Sequence, residues 1–121
     1  IHLTSPPNHN GNITAAGGRV GYVAADYICN AEFTGTHMCQ VGDIISYIHK
    51  YPIGSPLAGK NAWASEGASG YTLNSNDCNG WKDQNNFYLG SFWFFITAGG
   101  GHGALINCAQ EKPIACCKQP D

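Results

Sequence analysis

The stretch Val20-Gly21-Tyr22-Val23-Ala24-Ala25-Asp26-Tyr27-Ile28-Cys29-Asn30-Ala31 carries the clearest structural signal of this chain, because its apolar side chains recur at helical spacing. The apolar positions are Val20, Val23, Ala24, Tyr27, Ile28 and Ala31. They form one stripe with Cys29 on its flank, which is typical of an amphipathic helix packed on a core. The pattern predicts a first helix near residues 20–32.

A second helix is predicted after the turn at Thr34-Gly35-Thr36. The same apolar spacing returns at Val41, Ile44, Ile45 and Ile48. His49 and Lys50 follow, where the carbonyl end of a helix favours positive charge. Pro52 lacks a backbone N–H and ends the pattern.

Beyond Pro52, short apolar runs alternate with Gly, Pro, Ser and Asn, which is typical of strands and loops. We predict strands at 62–65, 92–97, 104–108 and 114–118, with a long loop region rich in Asn and Asp at 66–89. Two helices followed by a mainly antiparallel sheet make an α+β fold. Residues 1–18 show no sustained periodicity, so we predict an extended lead-in outside the core and one domain at 19–121.

The charge balance excludes two classes of partner. Only 12% of the 121 residues are charged, with six Lys and Arg against eight Asp and Glu. The chain therefore has too few cationic side chains to form a surface that binds nucleic acid. The longest apolar run, residues 92–96, is far shorter than the about 20 residues that span a bilayer. We expect neither a nucleic-acid partner nor a membrane span.

Six cysteines, an even number in a small chain, predict a disulfide-stapled domain made in an oxidising compartment, hence secreted or on the cell surface. The alternative is a cytosolic core with reduced thiols. Fifteen pairings are possible. Cys116 and Cys117 are adjacent, and adjacent strand residues point to opposite faces, so we expect them to bond to two different partners.

Four motifs occur in an order that resembles a known fold. They are Ala25-Asp26-Tyr27-Ile28-Cys29, Gly35-Thr36-His37-Met38-Cys39, Asp77-Cys78-Asn79-Gly80-Trp81, and Cys108 with seven residues before Cys116. Over residues 20–118 the chain resembles the endostatin-like branch of the C-type lectin fold. It is also similar to an uncharacterised family of secreted bacterial proteins that carry Ala-Asp-x-x-Cys and Gly-x-His-Met-Cys motifs.

The resemblance implies a nested disulfide pattern. Carried over by position, it pairs Cys29 with Cys116 and Cys78 with Cys108, which leaves Cys39 with Cys117. An exchange of Cys116 and Cys117 is the main alternative.

Cofactors are not expected. Sugar-binding C-type lectins hold calcium with a Glu-Pro-Asn or Gln-Pro-Asp loop and a Trp-Asn-Asp strand, and this chain has neither. Asn76, Asp77, Asn79 and Asp83 could offer calcium oxygen ligands elsewhere, although capping of turns is the preferred interpretation. Endostatin-like domains can hold zinc near the N-terminus, where this chain has His2 and His9, but a structural zinc normally needs four ligands.

Catalysis is not expected either, since the acids are scattered and bonded cysteines leave no thiolate. The aromatic residues at 92–95 cannot all face one core; coverage of both strand faces is preferred over an exposed contact surface.

Ligands of the lectin fold commonly meet the long loop, which makes four residues the candidate exposed contacts: Trp81, Lys82, Asp83 and Tyr88. Asn12-Ile13-Thr14 is a glycosylation acceptor pattern.

The leading hypothesis is a non-catalytic extracellular recognition or adhesion domain that binds a protein or glycan through the long loop. Because the calcium motifs are missing, we expect this contact to be independent of calcium. The alternative is a structural subunit of a homopolymeric fibre or surface layer. In that case residues 1–18 would lie on a neighbouring copy as an added strand or strap.

Overall fold

The computed structural model describes residues 1–66 and 76–118. There it is a small α+β fold with three helices, antiparallel sheets and three disulfides. In chain order the elements are β1 (His2–Leu3), β2 (Thr14–Ala15), a 3-10 turn (Ala16–Gly18), β3 (Arg19–Val20), α1 (Tyr22–Glu32), β4 (Thr36–Met38), α2 (Val41–Ile48), β5 (Asn61–Trp63), α3 (Cys78–Trp81), β6 (Leu89–Phe94), β7 (His102–Asn107) and β8 (Ala115–Lys118).

The strands form two three-stranded sheets and one two-stranded sheet in the described residues. The first has the order β1-β8-β4, so the last strand of the chain lies between the first and the fourth. Both neighbours pair with it antiparallel, and His2 and Met38 flank Cys116. The second sheet has the order β5-β6-β7, and β2 pairs with β3. A parallel bridge between Trp63 and Ile114 joins the two larger sheets.

The two predicted helices are present as α1 and α2. A capping box starts α2, because the carboxylate of Asp43 accepts a hydrogen bond from the backbone N–H of Gln40 at 2.9 Å. The turn predicted at 34–36 differs from the structure, where Thr36 already belongs to β4. The three residues of β4 are too few to show an alternating pattern in the sequence, and their pairing with β8 defines them as a strand.

The buried side chains form two clusters on opposite sides of β5 and β8. Ile114 and Cys116 lie in the cluster beneath α1, whereas Ala115 and Cys117 lie in the cluster beneath α2. This alternation is the period of two that a strand imposes, here with both faces buried. The last strand is therefore the middle layer of the domain.

The alternation along β8 also places the disulfides. Cys116 bonds to Cys29 of α1, on one face, and Cys117 bonds to Cys39, just before α2, on the other. The third bond joins Cys78 to Cys108. These are the three pairs that the resemblance implies, and the two adjacent cysteines have different partners.

Residues 1–18 are part of the domain, so the prediction of a lead-in outside the core is wrong. Ile13 is fully buried in the cluster beneath α1, and β1 is an edge strand of the first sheet. The backbone N–H groups of Thr4 and Gly11 donate to the carbonyls of Ile114 at 3.0 Å and Cys108 at 2.8 Å. A single buried apolar residue leaves no periodic signal, which is why the sequence pattern missed it.

Glycine at position 11 is what lets this segment approach so closely. A Cβ atom there would overlap the sulfur of Cys78 and lie 2.5 Å from the carbonyl oxygen of Asp83. The segment that the sequence predicts as free is thus packed against the Cys78–Cys108 disulfide.

We expect His9 to make the stability of the fold depend on pH. Burial lowers the pKa of His9, and the carboxylate of Glu32 offsets that only in part. Below the unfolded value of about 6.5, the unfolded chain then binds more protons than the folded one, so stability falls as the pH falls through that window. We expect chemical denaturation to give a lower free energy of unfolding at about pH 5 than at about pH 7.

The variant His9→Gln should lose less stability over the same pH interval, because glutamine does not titrate. An unchanged difference between the two pH values in the variant would show that His9 is not the group responsible.

Candidate functional site

The four predicted contact residues differ in how far the structure exposes them to solvent. Lys82 is exposed, Asp83 is half-buried, and Tyr88 is half-buried and packs against the cluster beneath α1. Trp81 is fully buried, so the prediction that it is an exposed contact is wrong. Residues 67–75 of the predicted long-loop region lie outside the described residues.

Trp81 faces inward because of the backbone of α3. Residues Cys78, Asn79, Gly80 and Trp81 all have positive φ, the left-handed conformation that directs side chains differently from an ordinary helix. The indole N–H of Trp81 donates to the hydroxyl of Ser65 at 3.0 Å, and its ring lies 5.3 Å from that of Trp63. Consecutive left-handed residues other than glycine are rare, and the sequence pattern does not indicate them.

Residues 82–88, here named the 82–88 loop, connect α3 to β6. Two local hydrogen bonds shape this loop: the carboxylate of Asp83 accepts from the N–H of Asn85 at 2.8 Å, and the side-chain oxygen of Asn85 accepts from the N–H of Phe87 at 2.9 Å. Such Asx turns hold a loop in one conformation without strand pairing. The result places Phe87 outward, with 86% of its surface exposed.

The N-terminal segment contacts the 82–88 loop. The side chain of Asn10 donates to the side chain of Gln84 at 3.0 Å, and Asn12 forms an isolated antiparallel bridge with Lys82. Asn12 itself is exposed while Ile13 is buried. A glycan attached to Asn12 would therefore lie beside the 82–88 loop.

The acids considered for calcium are bonded within the fold. The Asp77 carboxylate is fully buried and accepts from the hydroxyl of Tyr22 at 2.8 Å and the N–H of Glu66 at 3.0 Å. In residues 1–66 and 76–118, no three His, Cys, Asp or Glu side chains are grouped so that they could hold a metal ion. Of the histidines considered for zinc, His2 stacks on Phe33 with ring centroids 4.5 Å apart, and His9 pairs with Lys112 through the backbone.

Three of the four aromatic residues at 92–95 pack against the core, on the two faces of β6 and its continuation. Trp93 and Phe95 are buried in the cluster beneath α2. On the opposite face, Phe92 packs against the other cluster, and the ammonium of Lys112 lies 4.3 Å from its ring centroid. Phe94 is half-buried and stacks on the exposed ring of His102 with centroids 5.7 Å apart, so the other three aromatic residues are the ones that serve the core.

A concave feature that the sequence interpretation missed lies between α2 and the end of β8. This α2–β8 groove has a volume of about 460 Å³. Its lining residues are Ile1, His2, Asp43, Ser46, Tyr47, Lys50, Tyr51, Cys117 and Lys118. The groove residues on α2 and just after it are three or four positions apart, so they share one helix face, next to the apolar face of the same helix. This spacing is the sequence signal from which the groove residues could have been found.

Comparisons with protein-family models, with curated proteins and with solved structures find no match to this chain. Within the described ranges, neither α1 nor any other helix has the length and apolar character needed to span a bilayer. The class that the structure supports is a small α+β domain with three disulfides. Such a domain is compatible with an oxidising, extracellular environment.

Proposed function

We propose that this chain is a non-catalytic extracellular recognition domain with a C-type lectin-like fold, and that its 82–88 loop contacts a partner. The observation that carries the proposal is the exposed ring of Phe87 on a loop whose backbone is fixed by its own side chains. Ordering the loop in advance reduces the entropy lost on binding.

The chemistry of the loop suits recognition. Phe87 offers a rigid apolar anchor, and the exposed neighbours Lys82 and Asn86 offer polar groups around it. Aromatic anchors surrounded by adaptable amides and hydroxyls recur in the binding loops of recognition proteins. Asp83 and Tyr88 are half-buried at the edge of this surface, and Tyr88 also packs against the cluster beneath α1.

Of the two ligand classes, a protein fits this loop better than a glycan. The exposed side chain at the centre is a phenylalanine, which has no hydrogen-bonding group for a sugar hydroxyl. A projecting apolar ring is instead suited to a pocket on a partner protein, where aromatic residues often supply most of the binding energy.

The test is photo-crosslinking from the loop. The chain is made with p-benzoylphenylalanine in place of Phe87 and irradiated with the intact cell-surface protein fraction of the source organism. We expect a discrete crosslinked species, competed by excess wild-type protein and at least tenfold less by Phe87→Ala, a difference of about 1.4 kcal/mol in binding free energy.

The matched control carries the same probe at Val23, an exposed apolar position on α1. Equal products from both positions, or none from position 87, would contradict the proposal. A product at twice the mass of the chain would support the alternative of a self-assembling subunit instead.

A further inference from the structure

The α2–β8 groove combines two aromatic rings with hydrogen-bonding side chains. Tyr47 and Tyr51 are one helical turn apart and their ring centroids lie 5.1 Å apart at an interplanar angle of 41°. Tyr47 is half-buried and packs against the core, whereas Tyr51 is 56% exposed. The inner ring is thereby fixed and the outer ring is accessible to a ligand.

The groove has the size and shape of a small-molecule site. Its volume of about 460 Å³ falls within the roughly 300–1,000 Å³ typical of ligand pockets. The buried Cys39–Cys117 disulfide lies at one wall, so the two elements that form the groove are covalently joined. A groove of this kind is ordered before a ligand arrives, which lowers the entropy lost on binding.

The charges of the groove favour an anionic group. Lys50 and Lys118 are both exposed and, within residues 1–66 and 76–118, neither is in an ion pair. One oxygen of the Asp43 carboxylate, Oδ2, accepts hydrogen bonds from His37 at 3.0 Å and from the N–H of Gln40 at 2.9 Å, and against this one acidic side chain the groove lining has two lysines. Two ammonium groups facing one groove can bind a carboxylate.

The remaining side chains favour a sugar over a simple acid. A pyranose ring has C–H groups on its faces and hydroxyls around its rim, so it can lie on a tyrosine ring while its hydroxyls bond to polar neighbours. The hydroxyl of Ser46, exposed on α2, and those of the two tyrosines supply such partners.

We propose that the α2–β8 groove binds a saccharide that carries a carboxylate, such as a uronic acid, with Tyr51 contacting the sugar ring and Lys50 and Lys118 contacting the carboxylate. This site is separate from the 82–88 loop and does not depend on it. The net charge of −2 does not oppose it, because a single carboxylate needs only local ammonium groups, whereas a polyanion needs a large cationic surface.

The test uses the intact disulfide-bonded chain on an array of uronic-acid oligosaccharides and their neutral counterparts, in which a hydroxymethyl group replaces each carboxylate. We expect at least one acidic member to bind at least tenfold more tightly than its neutral counterpart. Tyr51→Ala and Lys118→Gln should each weaken that binding at least tenfold, measured by calorimetry with the same oligosaccharide.

Two matched variants complete the design. Tyr51→Phe keeps the ring and should retain most of the affinity, and Val23→Ala, at an exposed position of α1 outside the groove lining, should leave it unchanged. Unchanged melting temperatures would show that each variant is folded.

Three results would overturn the proposal: no acidic oligosaccharide is bound, the neutral counterparts bind equally well, or the groove variants bind like the wild type. Failure of the crosslinking at position 87 would leave this result untouched, so the two proposals fail independently.

Discussion

Replacing both Cys29–Cys116 and Cys39–Cys117 by alanine pairs is expected to lower the free energy of unfolding by roughly 7 kcal/mol, whereas replacing either pair alone lowers it by roughly 3 kcal/mol. The reason is that the two bridges end on adjacent residues of β8. With one bridge intact, the other closes a loop of only about a dozen residues, and short loops constrain the unfolded chain less.

When both bridges are absent, a closed loop of nearly the whole domain is also lost. The sequence separations of the two bonds are 87 and 78, and closing such a loop contributes roughly 4–5 kcal/mol in the chain-entropy treatment. Because a domain of this size is stable by only about 5–15 kcal/mol, the variant without both bridges is expected to lose a large part of its stability.

The measurement is urea denaturation of the two single-bridge variants and the double variant, followed by circular dichroism. Mass spectrometry after alkylation without reduction confirms that the other cysteines remain bonded. The Cys78–Cys108 bond, with a separation of 30, serves as a control, because its loss should add independently to either variant. Strictly additive losses from Cys29–Cys116 and Cys39–Cys117 would contradict the shared-loop explanation.

Trp81→Ala is expected to lower the free energy of unfolding by about 3–5 kcal/mol, the usual range for truncating a buried tryptophan. Trp81 is fully buried, lies 5.3 Å from the ring of Trp63 and donates a hydrogen bond to Ser65. Truncation removes this packing and leaves the Ser65 hydroxyl without its donor.

Trp81→Phe keeps a six-membered ring but removes the indole N–H together with part of the buried ring system, so we expect a smaller loss of about 1–3 kcal/mol. Lys82→Ala, at the exposed next residue, should change stability by less than about 0.5 kcal/mol. Chemical denaturation measures all three. A Trp81→Ala loss as small as that of Lys82→Ala would mean that the tryptophan is on the surface.

The helices were predictable because the stripe at Val41, Ile44 and Ile48 depends only on neighbours within two turns. The α2–β8 groove was not, because Tyr47 and Tyr51 become part of a site only when the end of β8 lies beside them. A helix pattern specifies which residues share a face but not what that face meets.

The proposed recognition surface was predictable in part. Lys82 is exposed and Asp83 and Tyr88 are half-buried, in a region that the sequence marks as a polar loop. Trp81 was misplaced because its burial follows from left-handed backbone angles in α3, and such angles are imposed by tertiary packing rather than by local propensity. Phe87 was in the same loop, but exposure of an aromatic side chain has no signature in sequence.

By itself the sequence determined the elements and the chemistry they carry: two amphipathic helices, the later strands, and cysteines suited to disulfides. Those properties depend on local periodicity and residue type. The tertiary structure alone decided that residues 1–18 belong to the core and that β8 is the middle layer between α1 and α2. Both depend on contacts between residues about a hundred positions apart in the chain, such as His2 with Cys116, and no local pattern encodes such pairings.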